Sequence, residues 1–344
     1  MTAALTGTPT VAAPAPQRVL WLAASVAVLL VAVVLSLALG ARSVPLEAVV
    51  DAILDPVAGN VDHIVVRDQR VPRTLIGIVA GAALALAGTI MQGLTRNPLA
   101  DPGLLGVNAG ASLFVVVGIT FFGVSASAGQ VWFAFAGAAA ATVVVSLVAG
   151  GGRGPTPISL TLAGAAVTAA VTSVITLLLL GNLDTLNQYR FWAVGSLVGR
   201  GLDSLVGLAP FLLVGGVIAL LLGRALNVLS LGDDVARGLG QNIPLARVLS
   251  VVAIVVLCGG ATALAGPIVF VGLVVPHVVR RLTGPDYRWM LLIGLFVGAA
   301  LLVLADTLGR LLVPPGELEA GLVIAFVGAP LMIAIVRSRT LSAL

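Results

Sequence analysis

RDQRVPRTLIGIVAGAALALAGTIMQGLTRNPLADPGLLGVNAG, residues 67–110, is the stretch that decides the fold class. Within it residues 71–94 form one apolar run whose single ionisable side chain, Arg73, falls in the first turn. As a helix rising about 1.5 Å per residue the run covers roughly 36 Å, enough to cross a hydrocarbon core of about 30 Å with some tilt. Pro72 suits a first turn, where a missing N–H costs nothing, and Gly77, Gly81 and Gly88 leave room for a neighbouring backbone. Beyond it come Asn97-Pro98 and Asp101-Pro102, the second pair reading as an N-cap followed by a proline at the first helical position. Two helices joined by a tight turn are therefore expected, the first of them packed on protein.

The rest of the chain has the same character. Its 344 residues are 59% hydrophobic and only 9% charged, with a mean hydropathy of +1.16. Soluble domains carry about a quarter charged residues, so this is an integral membrane protein. All 18 basic residues are arginine. Without lysine there is no P-loop and no Schiff-base chemistry, and any ATP consumed is consumed by a partner. His63, His277 and Cys258 are far apart and lack ligand spacing, so no metal site, no catalytic residue and no resident cofactor are expected.

Apolar runs place ten spans, at 19–39, 71–94, 104–122, 130–149, 158–180, 204–223, 246–258, 266–282, 289–313 and 318–336. The first is read as an uncleaved span, because about 21 residues exceed the apolar region of a signal peptide. Residues 1–18 and 338–344 read as tails, the first disordered, around a single membrane domain at 19–337. Between the first two spans, 45–54 reads as a helix lying at the surface, and 189–198, too short to cross, as a half-helix at the interface with Tyr189 and Trp192 at headgroup level. Ten spans put both termini on one side. Eleven arginines, among them Arg18, Arg96, Arg237 and Arg247, fall on that side against seven on the other, which makes the termini cytoplasmic.

Three groups of residues stand out. Arg70, Arg73 and Arg310 lie at outer span ends, where they either snorkel or meet an acidic partner. Asp306, four residues before Arg310, reads as its local ion-pair partner. On the cytoplasmic side Asn97-Pro98-Leu99 and Thr156-Pro157-Ile158 each set an apolar residue in a proline turn. The longest cytoplasmic loop, 227–245, holds a short helix in which Asp233 caps and pairs with Arg237, Val235 and Leu239 share a face, and Gly238 or Gly240 stops the turn. Pro276 should kink the eighth span, with His277 capping the freed carbonyl or sitting at the interface.

Arg70-Val-Pro-Arg73-Thr, then GAALALAGTIMQGLTRNPLADPGLLG (81–106), Gly238-Leu239-Gly240, ALAGPIVFVGLVVPHVVRRLTGPDYR (263–288), LVLADTLGR (302–310) and PPGELEAGLVIAFVGAPLMIAIVRSR (314–339) occur in that order. Together they resemble permease subunits of bacterial ABC importers for ferric siderophores, haem and cobalamin. The resemblance implies an all-α type II importer permease of about ten transmembrane helices in the cytoplasmic (inner) membrane. Its partners would be a second permease copy or a paralogue, two cytoplasmic ATPases and an extracytoplasmic substrate-binding protein, with no nucleic acid. It gives Arg70, Arg73 and Arg310 to docking of that binding protein, and 233–240 to coupling with the ATPase. It also makes Asn97-Pro98-Leu99 part of an inner gate, for which Thr156-Pro157-Ile158 offers a second layer. Ferric siderophores are the favoured cargo, with haem and cobalamin as alternatives. An ion-coupled secondary transporter is the rival of another class, weakened because the spans hold almost no ionisable residues away from their ends.

Overall fold

The structure, a computed structural model, describes residues 14–150, 157–314 and 316–337, and among these there are helices and no strands. In chain order they are α1 (Ala15–Ala38), α2 (Leu46–Leu54), α3 (Val61–Ile64), α4 (Val71–Thr95), α5 (Val107–Phe122), α6 (Ser127–Gly150), α7 (Pro157–Gly181) and α8 (Leu183–Ala193). The second half holds α9 (Leu202–Leu221), α10 (Gly223–Ser230), α11 (Asp233–Gly238), α12 (Ile243–Ala265), α13 (Val271–Thr283), α14 (Tyr287–Leu312) and α15 (Ala320–Arg337). Among the described residues seven helical segments are long and apolar enough to cross a membrane. The shorter α5, α13 and α15 stand where the other three spans are expected.

Several boundaries differ from expectation for identifiable reasons. α1 starts at Ala15, inside the stretch read as a tail, and Arg18 is anchored by an ion pair to Asp286 at 3.4 Å. Helix also precedes α4, running from Val61 through a π-helical turn at Val65–Arg70, so the helical segment that carries Arg73 begins before the expected span. α12 continues past the expected end at 258, because Gly259 and Gly260 seat against Ala138 and Leu212 instead of breaking the helix. Residues 266–270 are then non-helical, with Phe270 in the left-handed region at φ 68° and Gly328 of α15 against its ring. The eighth span thus shrinks to the 13 residues of α13, about 20 Å of helix. Around 183, Asn182 accepts bonds from the Asp184 and Thr185 amides, so α8 begins six residues before the expected half-helix.

The core is built on α4. It is buried along most of its length and packs on α14, α12 and α13. The glycines explain how closely. A Cβ on Gly81 would lie 2.3 Å from the Gly298 carbonyl oxygen of α14, and one on Gly88 would lie 1.9 Å from the Gly272 oxygen of α13. The Gly272 carbonyl is the one that Pro276, four residues on and lacking an N–H, leaves without its intrahelical donor. The ring nitrogen Nδ1 of His277 lies 3.0 Å from the next carbonyl, that of Leu273.

Contacts also fix relative directions. Arg18 and Ser36 of α1 meet the start and the end of α14, so these two run parallel, while Arg73 at the start of α4 meets Asp306 near the end of α14. The bundle therefore has two chemically distinct ends: one gathers Arg73, Asp306 and Arg310, the other Arg18, Arg96, Asp233 and Asp286.

Candidate functional site

At the first end, α1 finishes at Ala38, and a helix leaves its last carbonyls without intrahelical partners. Arginines from two other elements take them. Arg310 donates through Nη1 to Ser36 O at 2.9 Å and Leu39 O at 3.3 Å, and through Nη2 to Ser36 Oγ at 2.7 Å. Arg70 donates to Leu37 O at 2.5 Å and to the Arg42 carbonyl. A cation also suits the negative end of the helix dipole. Arg73 crosses instead to α14, where Nε meets both Asp306 oxygens at 2.9 and 2.8 Å and Nη1 meets Glu317 at 2.6 Å.

The local pair expected between Asp306 and Arg310 is present at 3.2 Å, yet the tighter partner of Asp306 is Arg73, 233 residues away. Arg70, Arg73 and Arg310 are 5%, 8% and 3% exposed in the isolated chain. Their donors are turned inward because unpaired helix-end carbonyls and a buried carboxylate require them. One donor is left over: Arg73 Nη2 has no partner.

The other end is organised by Asp233. Arg96 closes α4 in the left-handed conformation at φ 52°, uncommon for a residue with a Cβ. Its side chain donates through Nε to Leu229 O at 2.7 Å and through Nη2 to Asp233. Arg247 of α12 donates to the second Asp233 oxygen at 2.7 Å. The bond from Arg96, with Arg247 adding to it, holds the Asp233 carboxyl below the usual range. Its contribution to stability is therefore present above the ordinary carboxylate pKa and fades as pH falls through the depressed value.

Asp233 was expected to cap α11 and pair with Arg237. In the structure Gly232 holds the cap position with no side-chain bond, and Arg237 pairs with Asp234 at 2.7 Å. Asp233 faces two long-range arginines, which outbid a solvated neighbour. Gly240 at φ 76° does stop the turn after Gly238. Val235 and Leu239 project from it, 50% and 63% exposed. α11 is thus an apolar-tipped knob, braced by one carboxylate to the end of α4 and the start of α12.

A second anchor lies nearby. Asp286 accepts from Asn227 at 2.7 Å and from Arg288 and Arg18. Burial alone would raise its carboxyl, but the bonds from Arg288 and Asn227 hold it at about 2.

The turn 97–99 follows Arg96 directly. Asn97 Oδ1 accepts from Leu99 N at 2.9 Å, leaving the Leu99 side chain 39% exposed. Asp101 caps as expected, accepting from Gly103 N at 2.7 Å, although what it caps is the 3-10 turn Pro102–Leu105 ahead of α5. Pro157 opens α7, Ile158 is 73% exposed, and Thr156 lies outside the described residues. Trp192 is buried at 2% exposure and stacked on Tyr189, so it packs on protein. Among the described residues no group of three or more His, Cys, Asp or Glu could hold a metal ion.

Comparison with known proteins gives this architecture relatives. The profile of the FecCD transport family matches residues 28–338. The ferric enterobactin transport system permease protein FepD of Escherichia coli (strain K12) is 47% identical over 313 residues, covering 91% of this chain and 93% of the relative. The Fe(3+)-citrate import system permease protein YfmD of Bacillus subtilis (strain 168) is 41% identical, covering 81% and 83%. Among solved structures, an inward-facing metal-chelate type ABC transporter superposes with a TM-score of 0.81 at 27% identity, covering 93% of this chain and 99% of that one.

Proposed function

The chain belongs to the FecCD transport family, and on that premise we propose that it is the transmembrane permease subunit of a bacterial inner-membrane ABC importer for ferric siderophores. The observation that carries the coupling half of this reading is the braced knob. Val235 and Leu239 present an apolar surface that the chain itself does not cover, fixed by Asp233 to the helix end that leads into the turn at Leu99. A small helix with one apolar face suits insertion into the groove of a partner. The partner is a pair of ATPase subunits on the cytoplasmic side, which places both termini there and leaves ATP hydrolysis outside this chain. Two permease copies, or this chain and a paralogue, enclose the pathway.

The Arg73 end then faces the extracytoplasmic binding protein. An acidic group arriving there competes with Glu317, which is one-third exposed, for the Nη1 of Arg73. Glu317→Gln should accordingly strengthen docking of the loaded binding protein. Weaker or unchanged affinity would move docking away from Arg73.

The cargo assignment is tested by uptake. Cells carrying the gene should accumulate an iron-55 siderophore, with uptake resisting competition from excess haem or cobalamin; uptake of haem or cobalamin alone would reassign the cargo within the family. Uptake driven by an ion gradient without ATP would favour a secondary transporter.

The inner gate is proposed at Asn97-Pro98-Leu99, with Pro157-Ile158 beside it, because an apolar constriction excludes water and solutes by dewetting. Leu99→Cys on a Cys258→Ser background should crosslink between two permease copies in the resting complex and change when nucleotide is trapped. No crosslink in any nucleotide state would leave this turn as a connection only.

A further inference from the structure

A groove of about 450 Å³ runs along α9, with α4 beneath it and Leu257 of α12 and Leu295 of α14 completing the wall. Every residue that lines it is apolar, from Leu205 near the start of α9 to Leu220 near its end. Those two are about 22 Å apart along the helix, and one leaflet's share of the hydrocarbon core is roughly 15 Å, so a whole acyl chain fits. Gly216 helps to keep the groove open, since a Cβ there would meet no atom within 4 Å. Leu213 and Val217 on the rim are 68% and 56% exposed. The gate turns proposed to meet a second permease copy lead into α5 and α7, and among the described residues neither helix lines this groove.

The two mouths differ in charge. At the cytoplasmic one α9 gives way to α10 against the start of α14, where a Cβ on Gly223 would lie 3.0 Å from Arg288 Cα. Arg288 stands two helical turns before Leu295 on the same face of α14, and its side chain is 54% exposed. Arg224, one turn beyond Leu220, is exposed and forms no ion pair among the described residues. The carboxylate at this mouth, Asp286, is already shared by Arg288 and Arg18. The next one, Asp233, is held by Arg96 and Arg247. Three arginines thus face one carboxylate, with Trp289 partly buried beside them at the depth where indoles favour the interface. At the outer mouth, by Leu205, an exposed Asp203 offsets Arg200.

We infer that the groove holds an acyl chain of an anionic phospholipid from the cytoplasmic leaflet, with the lipid phosphate bound by Arg224 and Arg288. The inference uses the membrane orientation proposed above and nothing about the cargo. Lipid tails are as apolar as leucine, so the groove supplies position and the arginines supply selectivity. Guanidinium–phosphate bonds are charge-assisted, and basic sites between helices on the cytoplasmic side suit anionic headgroups. A zwitterionic lipid buries the same chain, but its own ammonium offsets its phosphate. The outer mouth has no excess of cations, which sets the leaflet.

The test uses the full chain, stripped of lipid in a neutral detergent and titrated with dioleoyl phosphatidylglycerol or dioleoyl phosphatidylcholine, bound lipid being counted by native mass spectrometry. Each arginine near an anionic surface changes binding about fivefold, so wild type should favour the first phosphatidylglycerol by about tenfold or more. Arg224→Gln should lose about fivefold for phosphatidylglycerol and Arg224→Gln/Arg288→Gln about tenfold or more, with little change for phosphatidylcholine. Gly216→Phe sends a ring into the open part of the groove and should weaken both lipids. Should the double variant not fold, Arg224→Gln and Gly216→Phe, at an exposed side chain and an open position, decide the matter.

Equal affinity of wild type for the two lipids, or a phosphatidylglycerol affinity that survives either Arg224→Gln or Gly216→Phe, overturns the site and leaves bulk lipid in the groove. A disulfide between two copies carrying Val217→Cys on a Cys258→Ser background overturns it by giving the groove to a second copy. Neither outcome touches the importer reading, which falls if iron uptake by cells is independent of the gene.

Discussion

Asp306→Ala should destabilise the protein by about 3–5 kcal/mol, the cost of removing one partner of a buried ion pair and leaving the other uncompensated. Asp306 is 1% exposed and sits between Arg73 and Arg310, both buried, so its loss leaves Arg310 without a carboxylate and Arg73 with Glu317 alone. Glu317, with a third of its side chain exposed, is a control of similar chemistry: Glu317→Ala should cost about 1 kcal/mol or less, since water replaces it. Unfolding midpoints in detergent, together with recovery of monodisperse protein, give the comparison.

The double variant Arg73→Met/Asp306→Leu should recover part of what Asp306→Leu loses, because an apolar pair can replace a buried ionic one. Asp306→Ala no more costly than Glu317→Ala would mean that water reaches this site. The same burial means that reversing Arg70, Arg73 and Arg310 to glutamate together would break the end of the bundle. Such a variant would report on folding before it reported on docking.

Leu239→Asp should abolish most iron uptake, by tenfold or more, while leaving the isolated chain as stable as wild type to within about 0.5 kcal/mol. The side chain is 63% exposed in the free chain, so a carboxylate there is solvated and harmless. In an apolar groove of the ATPase the same carboxylate would be buried without a partner, which costs several kcal/mol. The measurements are ATPase recovery on the purified permease, nucleotide turnover and uptake.

Asp233→Ala separates the knob from its brace. It leaves Val235 and Leu239 in place but releases Arg96 and Arg247, so the ATPase should still bind while uptake per ATP falls. Normal recovery and normal uptake in Leu239→Asp would reduce α11 to an ordinary connection. ATP turnover by the permease without its partner would contradict the division of labour drawn from the absence of lysine.

What the amino-acid sequence determined by itself is whatever depends on local order and on average solvation. The apolar runs are long and nearly free of charge, so the membrane class and the ten spans follow from transfer energetics alone. Pro72, the Asp101-Pro102 cap, the end of α2 at Asp55 and the glycine stop at Gly240 are local backbone chemistry and were legible for that reason. So was the close packing implied by Gly81 and Gly88, although not its partners, Gly298 and Gly272.

The tertiary structure alone decided where the charges go. Sequence distance favoured pairing Asp233 with Arg237, and it left Arg70, Arg73 and Arg310 either snorkelling or awaiting an acidic partner. Folding brought the end of α1 beside α4 and α14, where unpaired carbonyls and a buried carboxylate claim those arginines, and it brought Arg96 and Arg247 from two different helices onto Asp233. Trp192 and Arg200 show the same limit. In one dimension nothing relates them, and only folding sets both in the wall of one cleft. A hydrogen bond or an ion pair is a contact of a few ångströms, and no one-dimensional spacing encodes which of eighteen arginines will come that close.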